Sequence, residues 1–316
     1  MTRKQQPDTG YVFGPVPSRR LGRSLGVDLV THKTCSLNCV YCECGKTTRL
    51  TLTRNEYVPA YDLEKELSDV LSTGPKLDFI TFSGAGEPTL NKGIGEIIRF
   101  IKTEYPRYRV ALLTNGTLLY QSDVRAQLLG ADLVVASLDA ASDTVFSSIN
   151  RPHRGLNASR MIEGLAVFRE QFAESFWVEI FIVPGLNDDK RELKRIKEAL
   201  TIIKPDRIQL NTLDRPGTES WVEPADEAKL NNIAEYLDNA EVIRYVHPGK
   251  KKWTQMDGRQ RALLSTIKRR PCTAEDVAQV LGLQVCEVNP YLESLLIERK
   301  IVRKIMPRGV FYSAGP

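Results

Sequence analysis

Short, near-continuous apolar runs recur along the first two thirds of the chain, separated by longer stretches with apolar residues at i, i+3, i+4 and i+7. LGVDLV (25–30), DFITFS (78–83), RVALLT (109–114), LVVASL (133–138), WVEIFIV (177–183) and RIQLN (207–211) predict strands covered on both faces, as in a parallel sheet. The helical period predicts crossover helices over 61–72, 92–105, 121–129, 158–172 and 188–203, and a further helix at about 223–239. A repeating strand-helix unit with right-handed crossovers follows. Periodicity alone leaves two architectures open, a doubly wound sheet and a curved partial barrel. Both bind ligands at the C-terminal ends of their strands. The polar and glycine-rich clusters SGAGEP, TNGT, SLDA, PGLND and NTLDRPGT all follow strands directly, so they should meet on one rim.

The pattern changes near Asp257. Helices are predicted over 259–268, 273–281 and 284–299, and IVRKIMPRGVFYSA reads as two strands around a Pro-Arg-Gly turn. That order is the order of a winged helix-turn-helix. The expected organisation is a basic extension over 1–24, an α/β unit over 25–250 and a small C-terminal domain over 258–316, with the boundary between 250 and 258.

Composition narrows the class. With 316 residues, 42% hydrophobic and 26% charged, the chain can bury a core of roughly 200 to 250 residues and add a smaller unit. No apolar stretch nears the roughly 18 residues of a membrane span, and MTRKQQPDTG lacks the apolar segment of a signal peptide. A cytoplasmic location is therefore expected. The net charge of +5 arises at the C-terminal end: residues 258–316 hold ten Lys and Arg against five Asp and Glu, leaving the rest balanced at 34 of each.

Four of the six cysteines fall within ten residues, in KTCSLNCVYCECGKTT. In a reducing compartment such a cluster points to metal or redox chemistry and not to disulfides. Cys35, Cys39 and Cys42 form C-x3-C-x2-C directly after the first predicted strand. Zinc held with Cys44 is one alternative, although structural zinc sites usually draw ligand pairs from well-separated segments. A four-thiolate iron-sulfur cubane is another, although the C-x-C spacing makes adjacent sulfurs diverge. Three thiolates would leave one iron open for a substrate or cofactor, with Cys44 a non-ligand.

C-x3-C-x2-C with Tyr41 before the third cysteine resembles the signature of the radical S-adenosylmethionine (radical SAM) superfamily, and the six strand-helix units resemble its partial barrel. The likeness covers about residues 15–240. It implies an α/β fold, a partial (β/α)6 TIM-like barrel followed by the small winged helix-turn-helix domain. It also implies a 4Fe-4S cluster on Cys35, Cys39 and Cys42, with S-adenosylmethionine chelating the open iron. One electron, from a flavodoxin or ferredoxin-type donor, then cleaves the sulfonium to methionine and a 5′-deoxyadenosyl radical that abstracts hydrogen from the substrate. Oxygen sensitivity follows from the open iron.

The same resemblance assigns the other rim residues. SGAGEP is similar to the family's glycine-glycine-glutamate turn, so Gly84, Gly86 and Glu87 would hold the methionine amino group, although Ala85 separates the two glycines. Tyr41 would belong to the cofactor site. Asn115, Ser137 and Asp139 would meet the ribose hydroxyls, while Val183 to Gly185 and Leu210 to Asn211 would edge the adenine. Ser137 or Asp139 could instead cap a helix beginning near Ser142. Arg151 and Arg154, in NRPHRG with His153, could neutralise a carboxylate or simply lie on a solvated loop. GPVPSRRLGRSLG, with Arg19, Arg20 and Arg23, resembles the opening of the subgroup that includes wyosine-type tRNA-modifying and molybdopterin-type cofactor enzymes, and is expected over the barrel mouth. That subgroup carries a second cluster; the two remaining cysteines, Cys272 and Cys286, offer no second set.

Lys268, Arg269 and Arg270, with Arg303, Lys304 and Arg308 in the wing, are candidate contacts for RNA, DNA or a protein partner. The third tail helix is acidic for a base-reading element, with Glu287, Glu293 and Glu298. Two function classes remain at this point: a radical SAM enzyme acting on RNA, a peptide or a cofactor precursor, and a nucleic-acid-binding regulator with a metal or iron-sulfur sensor.

Overall fold

The computed structural model describes residues 10–31, 33–238, 240–244 and 259–315. The start of the N-terminal extension and the boundary expected between 250 and 258 lie outside the described residues. In chain order the elements begin with strands β1 (Val12–Ser18), β2 (Gly22–Val27), β3 (Thr34–Cys35) and β4 (Arg49–Leu50). They continue with α1 (Ala60–Leu71), β5 (Phe79–Phe82), α2 (Ile94–Glu104), β6 (Val110–Thr114), α3 (Ser122–Leu128) and β7 (Leu133–Ser137). Next come α4 (Asp143–Ile149), α5 (Ala158–Gln171), β8 (Ser175–Phe181), α6 (Lys190–Ile203), β9 (Arg207–Asn211), α7 (Glu227–Tyr236) and β10 (Glu241–Val242). After the undescribed stretch follow α8 (Arg259–Arg269), α9 (Ala274–Leu281), α10 (Val285–Ile297), β11 (Ile301–Met306) and β12 (Gly309–Ala314).

One eight-stranded sheet runs β1-β2-β5-β6-β7-β8-β9-β10. Among the described residues of this sheet only the β1–β2 pair is antiparallel. From β2 onward the spatial order follows the chain order with no reversal, whereas a doubly wound sheet must reverse at its switch point. The topology therefore removes the doubly wound alternative. This is an α/β fold with a mostly parallel central sheet, consistent with a partial barrel, and among the described residues β1 and β10 are the sheet's edges.

Alternation along the strands produces two apolar layers. Leu25, Val27, Ile80, Phe82, Val110, Leu112, Val134, Ala136, Val178 and Ile180 pack under the helices in the main core. The opposite, concave face carries a smaller cluster of Leu21, Phe79, Ala111, Leu133 and Val135, with Leu113 and Trp177 against it. Among the described residues no helix is long and apolar enough to cross a membrane.

Two differences from the sequence pattern have local causes. The first parallel strand covers Gly22–Val27 rather than 25–30, because Asp28 donates its N–H to Tyr11 O and the chain then turns into the cysteine loop. β1 escaped notice because Pro15 and Pro17 break its strand signal; an edge strand tolerates proline because one of its sides needs no ladder partner. In the C-terminal unit α8, α9 and α10 and the β11–β12 hairpin enclose a separate apolar core that includes Leu263, Val277, Leu292 and Ile301. Its second helix has a complete capping box, Thr273 with Asp276, and ends on Gly282 in the left-handed conformation.

Candidate active site

The cysteine loop leaves the C-terminal end of β2 and is closed at its base by the short parallel pair β3–β4. Within it, Asn38 Oδ1 accepts from Thr47 N at 2.9 Å, and Thr47 Oγ1 donates to Leu37 O at 2.7 Å. The loop docks on the end of α4, where Asn38 N and Val40 N donate to Asn150 O and Ile149 O, both at 2.9 Å. Val40 is fully buried with Ile149, Phe181, Val183 and Leu213. The chain between the second and third cysteines is thus fixed by packing as well as by hydrogen bonds.

Each of the three thiols has a nitrogen donor aimed at it. Asn115 Nδ2 and Leu37 N lie 3.5 Å from Cys35 Sγ, Asn150 Nδ2 lies 3.4 Å from Cys39 Sγ, and Lys33 Nζ lies 3.0 Å from Cys42 Sγ. Burial pushes the Cys35 thiol up to about 12, with the Glu87 carboxylate adding to it. Burial and then Asp139 raise Cys39 as well. Cys42 is lowered to about 5, first by the hydrogen bond from the Cys44 thiol and then by the Lys33 ammonium. Binding a metal cluster would therefore displace protons from the two buried thiols. Among the described residues no three His, Cys, Asp or Glu side chains gather around one ion-sized point. A cubane asks for no such point, since each thiolate takes a different iron.

The glycine turn lies against this loop. Lys33 N donates to Ala85 O at 2.5 Å and Glu87 N to Thr34 O at 3.0 Å. Gly84 has φ +130°, and a Cβ there would come within 1.7 Å of Asp28 Oδ1; at Gly86 it would meet Thr34 O at 2.2 Å. Both glycines are thus demanded by the packing of the turn on the cysteine loop. Glu87, 1% exposed, already receives Thr89 N, Thr89 Oγ1 and Thr114 Oγ1 on Oε1 and Asn115 N on Oε2. Its carboxylate holds the turn and the end of β6 together, and the ammonium expected for it would have to share Oε2 with Asn115 N or compete for the crowded Oε1.

The other rim residues are also tied into the protein. Asp139, 2% exposed, accepts from Tyr41 Oη at 2.5 Å and Asn150 Nδ2 at 2.6 Å on one oxygen, and from Phe181 N at 2.9 Å on the other. The Tyr41 ring stacks on Phe181 with centroids 3.8 Å apart. Asn115 turns toward Ser36 and Cys35, and its Oδ1 is taken by Thr117. Ser142 caps α4, a task that Ser137 and Asp139 therefore do not perform. Arg151, with φ +43°, is paired with Glu219, and Arg154 is exposed.

Ser137 stays half-buried and starts a polar row that sequence reasoning missed. Parallel register aligns it with Glu179, Glu179 with Gln209, and Gln209 with Glu241, so four polar side chains occupy one level of the concave face above Val135 and Trp177. Arg20, from the β1–β2 turn, pairs with Glu179, whose other oxygen accepts from Asn211 Nδ2 at 2.8 Å. Burial, then Arg19, lowers the Arg20 guanidinium to about 10. Among the described residues Gln209 Oε1, which is buried, has no hydrogen-bond partner. A glutamate or glutamine in a strand was the available signal, but matching their levels requires the register.

The basic residues of the C-terminal unit divide. Lys268, Arg303 and Lys304 are exposed and Arg270 is half-buried. Arg269 instead pairs with Asp28 and donates to Gly10 O at 3.0 Å, and Arg308 makes two hydrogen bonds to Asp276, at 2.9 and 3.0 Å. These two arginines face the protein.

Residues 29–196 match the family model of the radical SAM superfamily. The chain belongs to that superfamily. It is 32% identical to a UPF0026 protein of Helicobacter pylori strain J99, a match covering 96% of this chain and 97% of that one. It is also 34% identical to a Brachyspira hyodysenteriae protein named GTPase Obg, covering 99% of this chain but only 46% of that longer protein. Among solved structures, a radical SAM methyltransferase from Sphaerobacter thermophilus shares the fold, with a TM-score of 0.56 at 16% identity over 71% of this chain and 67% of that one. The superfamily implies a 4Fe-4S cluster and S-adenosylmethionine. The donor set fits the cluster: three thiols on one loop, each with an N–H group directed at its sulfur, where it would stabilise the thiolate that binds iron.

Proposed function

We propose that this radical SAM protein holds a 4Fe-4S cluster on Cys35, Cys39 and Cys42 and uses S-adenosylmethionine to abstract hydrogen from a substrate in the concave face of its barrel. When bound, that pair supplies one-electron cleavage of the sulfonium. The chain's own residues do the rest. Lys33, Asn115 and Asn150 orient the thiolates; the backbone of 84–86, with no Cβ at Gly84 and Gly86, forms the wall beside them. Ser137, Glu179, Gln209 and Arg20 offer donors and acceptors below the rim, where a substrate would be gripped.

The observation that carries this reading is the convergence of the three directed thiols and the glycine turn at the C-terminal rim of a family-matched barrel. The regulator alternative is not favoured, since residues 29–196 match the radical SAM family model. The C-terminal unit has the element order of a winged helix-turn-helix, and we assign it that fold, with Lys268, Arg303 and Lys304 as the surface for an RNA or protein partner. A flavodoxin or ferredoxin-type donor and a cytoplasmic setting complete the proposal. The test is release of 5′-deoxyadenosine and methionine by anaerobically reconstituted, dithionite-reduced protein. Release is expected from the wild type and from none of Cys35→Ala, Cys39→Ala and Cys42→Ala. No release from wild-type protein bearing a full cluster would overturn the assignment.

A further inference from the structure

The segment after β9 returns over the cysteine loop. Thr218 Oγ1 donates to Cys42 O and Glu219 N to Val40 O, both at 3.0 Å, and Gly217 lies so close that a Cβ would come within 2.9 Å of Tyr41 O. Neither helix nor strand stiffens residues 212–222, so their position depends on what holds them at each side. One side is the backbone of Val40–Cys42. The other is a buried ion network reaching into the C-terminal unit.

Arg215 is the centre of that network and is 5% exposed. Its Nε lies 3.5 Å from Glu43 Oε2, between the third and fourth cysteines. Its Nη1 donates to Asp276 Oδ2 at 2.6 Å and to Pro271 O at 2.7 Å, at the start of α9. Arg308, in the β11–β12 turn, binds Asp276 from the other side and places its Nε 2.9 Å from Asp214 Oδ1. Three carboxylates and two guanidinium groups therefore link the cysteine loop, the 212–222 segment and the C-terminal unit. A network this buried gives up much of its Coulomb energy to desolvation, so its main effect is to select one arrangement. The planar guanidinium of Arg215 suits it, because one rigid fork can address two partners on different segments.

We infer that Arg215 is a positioning residue through which the C-terminal unit sets the conformation of the cysteine loop, so that displacing Asp276 loosens the seat of Cys42. The inference rests on the reading of that loop as the cluster holder. It makes the C-terminal unit part of the redox site and not only a docking module. A partner that drew Asp276 or Arg308 away would act on the cluster at a distance.

Hydrogen-deuterium exchange of the full-length apo chain tests this, comparing wild type, Arg215→Ala, Arg215→Lys, Asp276→Asn and, as a control, Arg169→Ala, which breaks a distant surface pair with Asp206. Exchange over residues 36–48 should rise at least threefold in Arg215→Ala and Asp276→Asn, be partly restored in Arg215→Lys, and match wild type in Arg169→Ala. After anaerobic reconstitution the same two variants should show shifted g-values in the reduced-cluster EPR spectrum and at least threefold faster iron release to a chelator. Faster exchange confined to residues 259–315 would overturn the inference, reducing Arg215 to an attachment point. Should Arg215→Ala not fold, Asp276→Asn keeps the side-chain size and decides by the same comparison. A wild type without a four-iron signal would sink the functional reading, whereas the exchange result would still decide the brace.

Discussion

Tyr41 Oη donates to Asp139 Oδ2 at 2.5 Å, joining the cysteine loop to the end of β7. Its ring completes the joint by stacking on Phe181. Removing the hydroxyl in Tyr41→Phe keeps the stack and leaves a buried carboxylate with two of its three donors. Hydrogen bonds to charged groups contribute about 1.5–3 kcal/mol, so the variant should be destabilised by about that amount. Urea unfolding of the apo chain checks it; wild-type stability would show that Asp139 does not depend on this donor.

The glycine turn makes a sharper prediction. Gly84→Ala and Gly86→Ala each drive a methyl group into Asp28 or the Thr34 carbonyl, next to Cys35. Overpacking of this kind costs about 1–3 kcal/mol, and at φ +130° the alanine of Gly84→Ala is strained in its backbone besides. Both variants should take up less iron on reconstitution than wild type. Ala85→Gly should take up the full amount, and iron assays on the three proteins decide the point.

The Cys44 thiol lies beside Cys42, with its sulfur 3.9 Å from Gly84 O. As a non-ligand it should be replaceable. Cys44→Ser is expected to bind a full complement of iron and keep the absorption band of the cluster, whereas loss of either in this variant would make it a fourth ligand.

Asp276 offers a pH signature. Burial raises its pKa, but the Arg308 hydrogen bonds and the Arg215 and Arg308 charges outweigh burial and hold the carboxyl well below the usual range. A carboxylate with a depressed folded-state pKa contributes stability that is complete above its unfolded value, about 3.9, and fades as pH falls toward the folded value. Asp276→Asn should therefore be less stable than wild type at pH 7, by an amount constant down to about pH 5. The gap should narrow below about pH 4. Denaturation midpoints across that range are the measurement.

The sequence by itself determined most of the parallel strands and crossover helices and the gathering of the cysteines in one loop. Six parallel strands were legible because both faces are buried and apolar runs mark them; Cys35, Cys39 and Cys42 were legible because their spacing lies within one loop. The order of helices and hairpin in the C-terminal unit was legible for the same local reasons, through its cap at Thr273 and stop at Gly282.

Tertiary structure decided what each polar side chain faces. Glu87 and Asp139 are conspicuous in the sequence as acceptors, yet folding engages them with donors from Thr114, Asn115, Tyr41 and Asn150, residues 11 to 98 positions away. Arg269 and Arg308 sit in a basic tail, yet they pair with Asp28 and Asp276. The row of Ser137, Glu179 and Gln209 exists only through strand register. Apolar burial is non-directional and leaves a periodic trace along the chain. A hydrogen bond or ion pair depends on where one atom lies relative to another, and across distant segments that relation is fixed only when the strands are in register and the loops are closed.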